Sequence, residues 1–167
     1  MPIKRSIALM MSMLAAGCAE LPSISPGLDT LPGEPVQLVR LQEYFPAYNS
    51  GFEMQARLVV TSQAEWEATW QRIWQNTRPV PAPPAVDFQH EVVLVAAMGS
   101  RSSGGHHIQL QQAAAQPGNV VVRVVETFPG EACVVTAAIT EPVDVVRLPR
   151  TSQPIQFQTV KQVHACD

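Results

Sequence analysis

The chain has 167 residues, 46% hydrophobic and 15% charged, with a formal net charge of -3. That length allows one domain of ordinary size plus a short extra segment. Lys4-Arg5 is its only basic run, so the chain lacks the electrostatic footprint of a nucleic-acid binder.

The N-terminus reads as an export signal over residues 1–17. Lys4 and Arg5 form the positive region, and Ile7 to Leu14 form an apolar core too short to span a bilayer as a helix. Leu14-Ala15-Ala16-Gly17-Cys18 resembles the lipobox of bacterial lipoproteins. The resemblance implies a diacylglyceryl thioether on Cys18, cleavage before it and acylation of the new N-terminus. One acyl chain at about 0.8 kcal/mol per buried methylene anchors marginally, whereas two or three hold firmly. Residues 18–35 follow with Pro22, Pro26, Pro32 and Pro35 among Ser and Gly and no apolar period, which predicts a tether. Ala19 rather than aspartate after the cysteine points to the periplasmic face of the outer membrane.

Residues 36–167 then read as one domain. Val36 to Phe45 is a strand candidate, Tyr48 to Gly51 a turn, and Met54, Ala56, Leu58 and Val60 the apolar face of a second strand. Ser62 and Glu65 form a capping box ahead of Trp66, Trp70, Ile73 and Trp74, one stripe of a helix over Gln63 to Gln75. A stripe at that spacing is the face by which a lone helix covers a sheet. A second proline run, Thr77 to Pro84, leads back from the helix. Glu91 to Met98 is apolar on both parities and suits a central strand covered on both faces. With the turn Gly99 to Gly105 and the alternating His106 to Leu110, it reads as a β-hairpin. Val120 to Thr127, Cys133 to Thr140, Val143 to Leu148 and the segment around Ile155, Phe157 and Thr159 are further strands. Short connections predict antiparallel neighbours. The fold class expected is α+β: an antiparallel twisted sheet or partial barrel with one amphipathic helix packed on it.

Several short motifs occur together. They are Val86-Asp87-Phe88, the apolar strand to Met98-Gly99, Arg101 to Gly105, Pro129-Gly130 before Cys133-Val134-Val135, and Val145-Val146-Arg147-Leu148-Pro149-Arg150. Over roughly Leu58 to Gln158 the chain resembles the protease complex subunit PrcB family. The resemblance implies an exported or lipid-anchored protein with a partner in the envelope, a protease among the candidates, and it carries over no established catalytic activity. Where the family usually has Thr-Gly-Gly-Tyr, this chain has Ser103-Gly104-Gly105-His106.

The residues suggest no catalytic set, cofactor or metal. His106 and His107 are strand neighbours and point to opposite faces, and no His-x-x-x-His or Cys-x-x-Cys occurs. His106 shares its parity with Ile108 and Leu110, so it reads as partly buried with a hydrogen-bonded ring nitrogen. Ser102 and Ser103 lack a nucleophile elbow. With Cys18 acylated, Cys133 and Cys166 remain as a disulfide pair in an oxidising compartment. The candidate binding loop is Arg101, Ser102, Ser103, Gly104, Gly105, His106 and His107, a long turn on a rigid scaffold with Arg101 at its tip. The expected function is a lipid-anchored envelope protein with a non-catalytic binding or assembly domain. It touches the membrane through its lipid, another envelope protein through its domain, and no nucleic acid. The alternatives are a periplasmic small-ligand receptor using the tryptophan face and, behind it, a metal-dependent envelope enzyme using His90, His106, His107 and His164.

The lipobox reading predicts that the protein takes up radiolabelled fatty acid in cells and that Cys18→Ser abolishes the label. Label retained by that variant overturns it.

Overall fold

The computed structural model describes residues 30–41 and 48–166. Cys18, the signal segment and most of the tether lie outside the described residues. The elements in order are β1 (Glu34–Val36), β2 (Val39–Arg40), β3 (Gln55–Val60), α1 (Gln63–Ile73), β4 (Glu91–Met98), β5 (His107–Gln116), β6 (Asn119–Pro129), β7 (Val143–Pro149) and β8 (Ile155–His164). One sheet runs β2-β7-β4-β3 and the other β1-β5-β6-β8. The class is α+β as expected, with two corrections to the architecture. There are two stacked sheets rather than one, neither closed into a barrel, and β8 pairs with β6 in parallel. Among the described residues no helix is long and apolar enough to cross a membrane.

The two sheets follow from the composition of β4. Val93, Val95 and Ala97 face one core with Trp66, Trp70 and Ile73 of α1, while Val92, Leu94, Ala96 and Met98 face a second core with Leu110, Val122 and Val124. An apolar strand with both faces dry needs a layer on each side. The helix covers one face. A strand paired beside β4 cannot cover the other, so the chain leaves the sheet at Gly99, and β5 builds the sheet that does. The expected hairpin is therefore replaced by an arch: β4 lies between β3 and β7, and β5 between β1 and β6. Gly99 makes the exit at a φ of 79°, with the Gln55 and Glu53 backbone so close that a Cβ would clash. The parallel β6–β8 pair has the same origin. Between them the chain crosses to the first sheet as β7, and a parallel return needs such a crossover.

Polar clasps join the layers at both sides. Arg57 on β3 reaches across to Glu126 on β6 at 2.5 Å, and Gln55 Nε2 donates to the same carboxylate at 2.7 Å. Across the sandwich, Asp144 on β7 accepts from Arg40 Nη1 at 2.6 Å and from the Leu110 N–H at 2.7 Å, and Arg40 Nη2 donates to Leu110 O at 2.7 Å. The reason lies in β1, which pairs only with Ala113 to Ala115 and leaves the β5 edge at Leu110 without a strand beside it. The ion pair supplies the donor and acceptor that a strand would have offered. Both carboxylates are nearly fully buried, so removing one partner leaves an uncompensated charge, at a cost of about 3–5 kcal/mol.

The helix is placed by its cap and its tryptophans. Ser62 Oγ accepts from Glu65 N–H, and Glu65 reaches back to the Thr61 N–H at 2.8 Å. The bonds from the Thr61 N–H and hydroxyl hold the Glu65 carboxyl below its ordinary range. Trp66 and Trp70 are buried, and their indole N–H groups donate to Pro84 O at 3.0 Å and Pro81 O at 2.8 Å. The second proline run is thus a strap whose carbonyls satisfy buried indoles. With Trp66 and Trp70 closed in this way, the stripe packs the helix onto the sheet as expected, which counts against the small-ligand reading that depended on an open tryptophan face. Trp70→Ala is expected to destabilise the domain by about 3–5 kcal/mol, read from the denaturant midpoint at unchanged slope.

Candidate functional site

Two loops meet at one end of the sandwich. The first, 99–106, leads from β4 to β5. The second, 130–142, leads from β6 to β7. Arg101 and Thr140 exchange backbone hydrogen bonds at 2.8 and 3.0 Å, Gly104 N–H donates to Thr136 O at 2.9 Å, and Thr140 Oγ1 donates to Ser103 O at 2.8 Å. Gly104 and Gly105 lie against Thr136 and Val135 so closely that a Cβ at either would clash. Glu141, buried at the base, takes Asn76 Nδ2 at 2.9 Å and Ser100 Oγ at 3.3 Å. It joins the loop pair to the segment after the helix.

The second loop departs from expectation. Cys133 to Thr140 is no strand, although its residues favour one. Both edges of β6 are already occupied, by β5 and β8, so the segment finds no ladder. It is held instead by the first loop and by the Cys133–Cys166 disulfide, whose Cα atoms are 5.0 Å apart. The expected pairing is formed, and it staples the loop to the chain end beyond β8. The staple closes a separation of 33 residues, worth about 4 kcal/mol in the chain-entropy account.

The predicted binding residues take different places in this platform. Arg101 is not a solvent tip. Its Nη2 donates to Met98 O at 2.6 Å, and its guanidinium lies 5.8 Å from the centre of the Phe128 ring. Ser102 is exposed, while Ser103 and Gly104 are half-buried beneath the second loop. His106 turns inward and meets Phe128 edge-on at 5.6 Å, the aromatic contact available where the family has tyrosine. Its Nε2 lies 3.4 Å from Ser103 Oγ, and its Nδ1 is buried without a partner among the described residues. His107 faces outward, its Nδ1 3.0 Å from the exposed Tyr48 hydroxyl. His90 stands elsewhere, paired with Asp87 ahead of β4 at 2.7 Å. That bond holds the Asp87 carboxyl below its ordinary range, aided by the Gln89 N–H. Among the described residues no three His, Cys, Asp or Glu side chains converge as metal ligands would.

Three exposed apolar residues at this end of the molecule are open to a partner and were not among the candidate binding residues. Val134 and Ile139, on the second loop, are 102% and 75% exposed, and Val163 near the end of β8 is 70% exposed. Val163 packs beside Gly130, next to the disulfide, so the three belong to one end of the molecule. The available signal was the run Cys133 to Ile139, which carries no charge and no polar alternation. The run suggests a strand, because apolar content alone does not tell a sheet segment from an exposed interface.

With this geometry in place, comparison with known proteins finds one family. Residues 92–149 match the family model described as PrcB C-terminal, so this part of the chain is PrcB-like. The match runs from β4 to β7 and contains both loops; it is narrower than the Leu58 to Gln158 resemblance and leaves out Val86-Asp87-Phe88. No curated protein and no solved structure matches the chain.

Burial, and after it the charges of Arg101 and His107, hold the His106 imidazole below its ordinary value of 6.5. Between those two values the unfolded chain binds the proton that the folded one refuses. Stability is therefore full above about 6.5, falls as the pH drops below it, and levels off once folded His106 is itself protonated. Wild type should lose more stability than His106→Gln between about pH 8 and about pH 5, measured by denaturant unfolding at each.

Proposed function

We propose that the chain is a lipid-anchored envelope protein whose PrcB-like domain binds another envelope protein without catalysing a reaction, as an accessory subunit of a complex. The observation that carries this reading is the loop pair inside the matched segment. It presents Val134 and Ile139 to solvent on a backbone stiffened by a disulfide and by hydrogen bonds to the first loop. Exposed branched side chains on a preorganised loop lose little conformational freedom on binding and gain from burial.

The direction of the tether supports the same reading. β1 pairs at Ala113 to Ala115, toward the far end of β5, whereas the loops lie at its His107 end. Seven residues of strand separate the two, about 24 Å. A domain held through Cys18 then meets its anchor at one end and offers the loops at the other. A protease is the partner suggested by the family description, and it would show as hydrolysis of a protein substrate by the captured complex.

In-cell crosslinking of the full chain followed by affinity capture tests the proposal. Wild type should retain a specific envelope protein, and the pair Val134→Asp with Ile139→Asp should lose it while the domain stays folded, since neither side chain is buried. Cys133→Ser should weaken capture by freeing the loop. Capture that is indifferent to all three changes, or no capture at all, overturns the reading.

A further inference from the structure

Strand β8 ends its sheet. It pairs with β6 over all ten residues, Ile155 to His164, with no break in register, and among the described residues no strand lies on its other side. The direction of its backbone groups is settled by two bonds. Pro154 O accepts from Val120 N–H at 2.9 Å, and His164 O accepts from Gly130 N–H at 2.8 Å, both toward β6. Alternation along a strand then turns the even-numbered residues toward β6. Ile155, Phe157, Thr159, Lys161 and Val163 present N–H and C=O at the open edge.

Such an edge is ordinarily blunted by proline, a bulge or several charges. β8 contains no proline, its register has no bulge, and Lys161 is its sole permanent charge. We infer that this edge pairs antiparallel with β8 of a second copy of the chain, around a two-fold axis at Thr159. The strand is self-complementary in that register. Ile155 faces Val163 of the other copy at each end, so the exposed valine gains an apolar neighbour. Phe157 faces Lys161, and no like charges oppose each other. Thr159 faces itself as a hydrogen-bonded pair, and the two copies continue one sheet across the axis. A closed two-fold arrangement of this kind also removes the free edge.

The edge adjoins the second loop at Val163 but uses no residue of either loop, and the test reads self-association alone. Full-length protein, extracted in detergent, should sediment as a dimer. Thr159→Cys should crosslink to itself on mild oxidation, because Cα atoms of a hydrogen-bonded pair lie about 5.5 Å apart. Gln162→Cys should not crosslink, because its counterpart lies six residues along the strand, about 20 Å away. Thr159→Pro removes an outward N–H that β6 does not use. It should weaken dimerisation about tenfold or more while circular dichroism and the Cys133–Cys166 disulfide remain as in wild type. A monomeric wild type overturns the inference. So does equal crosslinking from both cysteine positions, or a Thr159→Cys chain that crosslinks to a different polypeptide rather than to itself.

Discussion

Strand β4 has no wet face, and most of the architecture is a response to that. Seven of its residues, Val92 to Met98, are buried, alternately toward the helix and toward the second sheet. Burying one branched aliphatic side chain contributes about 1.5–3 kcal/mol, so exposing either face would forfeit several such terms together. The helix with its tryptophans and proline strap, and the four-stranded sheet beyond, are the two layers that this strand requires. β7, its neighbour, repeats the arrangement with Val143 and Val145 on one side and Val146 and Leu148 on the other.

Apolar layers can slide, and the buried charges limit that. Arg57 and Glu126 pin one side of the sandwich, and Arg40 and Asp144 pin the other through the backbone of Leu110. Hydrophobic burial is non-directional, whereas a carboxylate with two donors at hydrogen-bond distance fixes position and register. The Leu110 contact sits where the β5–β6 register shifts between Leu110 and Gln112. Bulge, short neighbouring strand and ion pair therefore form one arrangement that closes an edge.

The loop end is built on a different principle. It has few core contacts, and it is held by a disulfide, a backbone bridge and glycines pressed against neighbouring chain. That construction allows apolar side chains to remain outside on a defined backbone, a combination suited to a binding surface. The same loops contain His106, whose poorly solvated ring disfavours its protonated form at the joint between them.

Local pattern was sufficient for much of this. The capped helix with its tryptophan stripe, the doubly apolar strand, the inward parity of His106, Ile108 and Leu110, and the Cys133–Cys166 pair were all legible. Each rests on periodicity, on a cap or on the count of cysteines, which the chain carries within a few residues or in its composition. The assignment of strands to sheets was not legible. Whether β5 returns beside β4 or crosses to a new layer depends on what covers β4's second face, and that cover comes from residues far along the chain. The parallel placing of β8 and the loop conformation of Cys133 to Thr140 depend on which strand edges were already occupied. The inward turn of Arg101 depends on Phe128 and the Met98 carbonyl, which only the folded chain brings beside it. Sequence by itself determined the elements and their buried faces; the tertiary structure decided their partners, because edges and layers are filled by competition across the whole chain.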